Sequence, residues 1–187
     1  MASTSQYSIE PLSVAHNKKS FSCGVEALDL YLINMAGQDA KRYLSATFVL
    51  VENQKETILG YYTLSSMSIA LDVIPEMIRK KLPRYPMMPA TLLGRLAIDK
   101  NAQGKLLGER LLVDALRRSL EANRQIVSWA VIVDAINDKA VSFYKNFGFI
   151  PFEGYPMRLF LSMGTIQKLF LEKSSISKWM KHIHFDP

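Results

Sequence analysis

Two stretches of the chain place chemically useful residues at close spacing. The first is Leu96-Ala97-Ile98-Asp99-Lys100-Asn101-Ala102-Gln103-Gly104-Lys105-Leu106-Leu107-Gly108, which joins an apolar run to the most regular helical pattern in the chain. Gly104 and Gly108 fall at the turn and in the first helical turn. Small residues there let a phosphate approach backbone N–H groups at the positive end of a helix dipole, and Lys105 adds a cation. The same residues also make an ordinary strand-to-helix turn. The second stretch, Asn137 to Phe149, sets Tyr144 among Val141, Phe143 and Phe147. By periodicity these residues pack a helix on a sheet, and a buried tyrosine commonly does no more than pack and bond through its hydroxyl. Asp99 and Asp134 lie near the two stretches as proton acceptors, or equally as caps of a turn or helix. No metal is expected. Cys23 is the only cysteine, and His182 and His184 are two apart rather than at the i,i+4 spacing that places two ligands on one helix face.

The elements that must position these residues belong to an ordinary globular composition, with 49% apolar and 21% charged residues in 187. One domain over 1–187 is expected, with a core of about 7–170 and a tail at 174–187. The N-terminus has no basic and apolar leader pattern, and no run reaches the ~18 apolar residues of a membrane span. A soluble, reduced, cytoplasmic protein with no membrane partner is the expectation. The net charge of +6 suits a polyanionic partner as well as plain solubility. Arg79, Lys80, Lys81 and Arg84 concentrate that charge in mid-chain, and Lys173, Lys178 and Lys181 form a second group.

Along the chain, Tyr7–Leu12 reads as a strand. Val25, Leu28, Leu32, Met35 and Ala36 have helical spacing. Ala46–Val51 and Thr57–Leu64 read as a hairpin. Asp72–Leu82 is expected as a short helix before Pro83, Pro86 and Pro89, and Met88–Ile98 as a long strand. The helix carrying Leu107, Leu111, Leu112, Ala115, Leu116 and Leu120 has Arg110–Asp114, Asp114–Arg118 and Arg117–Glu121 as opposite-charge pairs on its other face. Ile126–Val133 reads as a central strand and Asn137–Asn146 as a helix closed by Gly148. Phe149–Phe152 and Met157–Met163 are the last strands. Ile176, Trp179, Met180 and Ile183 have the spacing of a short docking helix. Strands alternating with helices argue for an α/β sheet covered on both faces.

Taken together, the two site-bearing stretches resemble the GNAT family of acyl-CoA N-acyltransferases. The family's pyrophosphate loop reads Gln/Arg-x-x-Gly-x-Gly/Ala; Gln103 and Gly108 match it, and Leu106 replaces its first glycine. Asn137, Ala140, Phe143, Tyr144, Phe147, Gly148 and Phe149 follow the family's Asn-x-x-Ala-x-x-Phe-Tyr-x-x-x-Gly-Phe pattern. Phe21-Ser22-Cys23-Gly24, Ala46-Thr47-Phe48-Val49, Ile58-Leu59-Gly60-Tyr61-Tyr62-Thr63-Leu64 and Leu93-Gly94-Arg95-Leu96-Ala97-Ile98-Asp99 extend the resemblance to the family's toxin branch, from about Ile9 to Phe170. The resemblance implies a mixed, mostly antiparallel sheet, splayed at the acyl-CoA site, with helices on both faces. It implies acetyl-CoA as co-substrate, bound by Leu96, Ala97, Ile98, Gln103, Gly104, Lys105, Leu106, Leu107, Gly108, Asn137 and Tyr144. It also implies transfer of the acetyl group to the α-amino group of aminoacyl-tRNA, a block to translation, a ribbon-helix-helix antitoxin as partner, and a homodimer.

Tyr144 is the expected catalytic residue. A phenol of pKa near 10 is protonated at neutral pH and can neutralise a leaving thiolate. An α-amine of pKa ~7.7–8.0 is largely neutral near pH 7.5 and needs no strong base, unlike a lysine at ~10.4. Arg79, Lys80, Lys81 and Arg84 are the expected tRNA-phosphate contacts near the site, with Arg95 assisting. A GNAT enzyme for a small amine or protein N-terminus, and an inactive nucleic-acid-binding module of the same fold, are the alternatives.

Overall fold

The computed structural model describes residues 6–171 apart from residue 54. The expected docking helix at 174–187 lies outside the described residues. Seven strands form one sheet: β1 (Tyr7–Pro11), β2 (Ala46–Glu52), β3 (Ile58–Ala70), β4 (Met87–Ile98), β5 (Ala130–Asp134), β6 (Ile150–Phe152) and β7 (Tyr155–Ser162). Their order is β1-β2-β3-β4-β5-β7-β6, and β4–β5 is the one parallel pairing. The helices are α1 (Glu26–Leu30), α2 (Ala36–Lys41), α3 (Glu76–Arg79), α4 (Leu107–Ala122), α5 (Asp138–Asn146) and α6 (Met163–Leu171).

Period-two alternation sends neighbouring strand residues to opposite faces and so divides the core. Leu93, Val131, Val133, Leu159 and Leu161 pack beneath α4, α5 and α6 with Leu111, Leu112, Leu116 and Ile166. The other face carries two separate clusters. Tyr31, Leu32 and Ala36 cover Val49, Tyr61 and Ala97. Ile74, Ile78 and Leu82 cover Ile69, Ala90, Ile132 and Phe160. The sheet is therefore covered on both faces, and its second face is open between two lids.

Five local differences from the sequence reading stand out. The first helix is interrupted by a π-helical turn, Tyr31–Met35. The wider turn shifts the apolar stripe, so Tyr31 and Leu32 are buried while Met35 is 42% exposed. The chain over 71–82 is a 3₁₀ turn, Leu71–Val73, followed by the single turn of α3 rather than one helix. The strand expected from Ile126 starts at Ala130; Ile126 still bonds back to Ala122 at the end of α4, and Asn123 accepts the Ser128 N–H through its side chain. Ile126 and Val127 consequently point to solvent. Finally, β3 runs on to Ala70, and α6 follows β7 directly, with the Ser162 hydroxyl accepting the Thr165 N–H at 3.2 Å as its cap.

Candidate active site

β4 and β5 run side by side only from Ala90–Ala130 to Leu93–Val133. Beyond that pair they part. β4 continues along β3 to Ile98, whereas β5 stays with β7, where Ala135 donates to the Met157 carbonyl. The edge of β4 from Gly94 to Ile98 thus has no strand on the β5 side. In an antiparallel ladder alternate residues direct their N–H and C=O groups away from the paired strand, so this edge offers backbone donors to a ligand. The strand end is held from behind at Gly60, where a Cβ would meet Ile98 Cδ1 at 2.6 Å.

A cavity of about 460 Å³ opens at the parting. Its walls are the end of β4 (Leu96, Ala97, Ile98), the loop into α4 (Gln103, Gly104, Leu106, Leu107, Gly108), and α5 with its cap (Asn137, Ala140, Phe143, Tyr144). Cys23, Val25, Leu28 and Ile136 stand at its rim with the charged Glu109 and Lys139, and the sequence reading did not include them. Cys23 and Val25 enter because Asp99 reaches across to the turn before α1, accepting the Ser22 N–H at 2.9 Å. That long-range bond leaves no trace in local spacing.

The loop into α4 has the form of an anion cradle. Gly104 (φ +78) and Leu106 (φ +58) are both left-handed, and Leu106 caps α4. Leu106 stands where the resemblance puts a glycine, and its backbone takes the conformation that glycine takes without strain. Its side chain is 45% exposed at the rim. A Cβ at Gly108 would meet only Ile98 Cγ1, at 3.8 Å, so the helix start is open above the cavity. Gln103 lines the cavity, but its side-chain amide donates to the Cys23 and Ile98 carbonyls, both at 3.2 Å. That amide braces the loop, and backbone groups are left to meet a phosphate. Lys105 is exposed and does not line the cavity; its charge acts on Glu52 instead. The structure therefore leaves the Lys105 side chain out of the cavity and only its backbone in the loop.

α5 follows from its sequence. Asn137 caps it through its side chain, accepting the Ala140 N–H at 2.9 Å, and Gly148 (φ +84) ends it. Tyr144 lies on the inner face of α5, edge-on to Phe143 at 5.2 Å and tilted to Phe149 at 5.4 Å. Burial raises its phenol above the ordinary tyrosine range. It makes no hydrogen bond to another described residue, so a hydroxyl in the cavity wall is left for a ligand. Tyr61 and Tyr62 are fully buried and engaged elsewhere: Tyr61 donates to the Leu28 carbonyl at 2.8 Å and Tyr62 to Asp114 at 2.6 Å.

Neither aspartate faces the cavity as a base. Asp99 is buried and accepts the Ser22 and Asn101 N–H groups, each at 2.9 Å. Asp134 is paired with Arg158. By alternation from Ala97, Ile132 and Phe160, the residues Arg95, Asp134 and Arg158 share the open strip of the second face. There Arg95 lies over the Tyr31 ring, 3.4 Å from its centroid.

The mid-chain cations stand elsewhere. Arg79 donates to the Asp72 carbonyl at 3.1 Å, and Lys80 pairs with Glu76 at 2.8 Å. This segment packs in the cluster that holds Ala90 and Leu92, whereas the cavity takes in β4 from Leu96, four residues or about 13 Å along the strand from Leu92. None of the four cations lines the cavity; the cluster flanks the open strip at its far end. Among the described residues no group of His, Cys, Asp and Glu is placed to hold a metal, and no helix is long and apolar enough to cross a membrane.

A mostly antiparallel sheet parted beside a helix start, with a tyrosine in the cavity wall, is the architecture of an acyl-CoA N-acyltransferase. The chain's residues 44–151 match the family model described as acetyltransferase (GNAT) domain. Over 158 residues the chain is 36% identical to the tRNA-acetylating toxin of Mycobacterium tuberculosis (strain ATCC 25618 / H37Rv), covering 84% of this chain and 93% of that one. Its structure resembles AtaT complexed with acetyl-methionyl-tRNAfMet at a TM-score of 0.82, with 33% identity over 88% of this chain and 99% of AtaT. It also resembles an AtaT mutant bound to acetyl-CoA and the C-terminus of the antitoxin AtaR, at a TM-score of 0.77, with 30% identity over 89% and 99% of the two chains. The chain belongs to the GNAT acetyltransferase family.

Proposed function

We propose that the protein is a toxin that moves the acetyl group of acetyl-CoA to the α-amino group of aminoacyl-tRNA and so blocks translation. One observation carries the reading: the parted β4–β5 cavity, with a free tyrosine hydroxyl in its wall, in a chain similar to tRNA-acetylating toxins along most of its length.

The residues fit acetyl-CoA, which supplies the thioester. The loop Gly104–Gly108 receives the diphosphate on backbone N–H groups at the start of α4, where the helix dipole is positive. The free edge of β4 at Leu96–Ile98 aligns the pantetheine arm and polarises the thioester carbonyl. The acceptor enters from the other side of the sheet, along the strip between the two lids. Its neutral amine nitrogen attacks the carbonyl carbon, the C–S bond breaks, and Tyr144 gives its proton to the sulfur. The surplus proton on the new amide nitrogen goes to water. Burial keeps the phenol protonated at neutral pH and beside the sulfur as charge builds on it, and the phenolate left behind regains its proton from water.

Arg95 and the cluster Arg79, Lys80, Lys81 and Arg84 bound the strip at its two ends. A polyanion that reaches the cavity with its terminus and is held by phosphates farther back fits that spacing, whereas a small amine would use only the cavity. The partner that neutralises the toxin is a ribbon-helix-helix antitoxin, and the toxin acts as a homodimer. Expression of the protein should stop growth and leave N-acetylated aminoacyl-tRNA in acid extracts of the cells. Expression of Tyr144→Phe, or co-expression with the antitoxin encoded beside it, should do neither. Growth arrest with unmodified charged tRNA contradicts the proposal.

A further inference from the structure

The cavity beside Tyr144 has two charged side chains in its lining, Glu109 and Lys139. Glu109 is half-buried in the first turn of α4, next to the cradle that receives the diphosphate. Lys139 is exposed in the first turn of α5 and makes no ion pair with another described residue. It is the only cation among the lining residues, because the Lys105 side chain stays outside. Lys139, Ala140, Phe143 and Tyr144 all line the cavity, and at i, i+1, i+4 and i+5 they form one face of α5. Tyr144 stands at the buried end of that face and Lys139 at its open end. A cation in the first turn works against the helix dipole, so local stability of α5 does not account for Lys139.

We infer that Lys139 binds the 3′-phosphate of coenzyme A, an inference that rests on the reading of this cavity as the acetyl-CoA site. Coenzyme A presents phosphate in two forms, a diphosphate and a monoester on the ribose 3′-oxygen. The diphosphate is joined to the pantetheine arm, so it meets the backbone N–H groups of Gly104–Gly108 while the arm lies along β4. The ribose and its monoester come after the diphosphate and therefore lie farther out, at the mouth. There Lys139 attracts the monoester, and the Glu109 carboxylate on α4 turns it toward α5. The monoester carries ~1.5–2 negative charges at neutral pH. A compact, hydrated ammonium on a flexible stem suits a group of that charge that stays partly in water.

Calorimetry with coenzyme A and with dephospho-coenzyme A, which lacks only the 3′-phosphate, tests this. The native protein should bind coenzyme A several-fold more tightly than the dephospho form. Lys139→Ala should bind coenzyme A no better than the dephospho form, leave affinity for the dephospho form unchanged, and flatten the salt dependence of coenzyme A binding. Lys139→Arg should keep most of the preference. Unliganded Lys139→Ala should melt no earlier than the native protein, which separates lost binding from damage to the fold. No preference in the native protein, or unchanged coenzyme A affinity in Lys139→Ala, overturns the inference. An equal loss for both ligands assigns Lys139 to the diphosphate and also overturns it. A native protein that binds neither form overturns the acetyl-CoA reading of the cavity as well, whereas binding that is indifferent to Lys139 leaves that reading standing.

Discussion

Asp134 and Arg158 stand opposite each other in the β5–β7 register and share two hydrogen bonds, from Arg158 Nε at 2.6 Å and Nη2 at 2.9 Å. The carboxylate holds the guanidinium proton above the ordinary arginine range. With Asp134 bonded through both oxygens and Asp99 buried under backbone N–H groups, deprotonation of the acceptor falls to water. The rate at saturating acetyl-CoA should then climb with pH along the titration of the substrate's own α-amine and level off above ~7.7–8.0. Tyr144 sets the opposite limb. A general acid works only while protonated, so activity is lost as pH rises through its pKa, and burial moves that loss upward. No descending limb is therefore expected through mildly alkaline pH. Asp134→Asn should keep the same rising limb; a drop of ~10²-fold or more with that limb abolished would make Asp134 the base.

Gly108 separates the effects of shape and charge at the diphosphate cradle. A Cβ there makes only an ordinary contact with Ile98. Gly108→Ala should fold and bind acetyl-CoA within a few-fold of the native protein by calorimetry. Gly108→Glu should fold and lose binding, because its carboxylate would confront the diphosphate. Unchanged affinity in a folded Gly108→Glu protein would remove the cradle from the site.

Leu106 holds a left-handed conformation that costs an L-residue ~1–2 kcal/mol. Leu106→Gly removes that cost but loosens the unfolded chain by ~0.4–1 kcal/mol, so stability by denaturant titration should change by less than ~1.5 kcal/mol. Acetyl-CoA affinity should hold or improve, since the backbone conformation is the one glycine prefers. Leu106→Val should be less stable than either, because β-branching adds crowding at positive φ. Weaker acetyl-CoA binding by Leu106→Gly would mean that the leucine side chain itself contributes to the site.

Much of this arrangement is legible in sequence because it is local. Asn137 and Gly148 bracket α5 through a side-chain cap and a positive φ, and the leucine stripe of α4 follows from period 3.6. The residues that fail to read locally are those set by distant partners. Ile126 and Val127 look like strand residues, yet Ile126 is bonded back to the end of α4 and Asn123 holds the Ser128 N–H. The π-helical turn at Tyr31–Met35 changes which residues face inward without changing composition. The Asp99–Ser22 bond that brings Cys23 to the cavity spans 77 positions. Two signals are present locally: Met67 and Ile69 alternate with serines in the extension of β3, and Ser162 stands three residues before Thr165 at the start of α6. Lys105 is the reverse case, since its place in the loop resembles a phosphate contact while its side chain points elsewhere.

The basic segment separates into engaged and unengaged cations. Arg79 is bonded to Asp72 and Lys80 to Glu76, whereas Lys81 and Arg84 make no ion pair among the described residues. Lys81→Ala with Arg84→Ala should weaken tRNA binding and flatten its log–log salt dependence by up to ~0.7–0.9 per lost phosphate contact. Lys80→Ala should do less, because its charge is already partly compensated. Acetyl-CoA affinity should be unaffected, about 13 Å along the strand being beyond a Debye length of ~8 Å in physiological salt. An unaltered salt slope in the double variant would return the segment to ordinary solvated surface.

The acetyl transfer itself is most directly tested with purified protein, labelled acetyl-CoA and total charged tRNA, alongside the same tRNA after deacylation. Label should enter only the charged tRNA, leave it on mild alkaline hydrolysis of the ester, and be recovered as N-acetyl amino acid. Tyr144→Phe, which keeps the ring packing, should bind acetyl-CoA normally and lower kcat by ~10²–10⁴-fold. Label in deacylated tRNA, no label in either, or near-native turnover by Tyr144→Phe would contradict the reaction or the role of its acid.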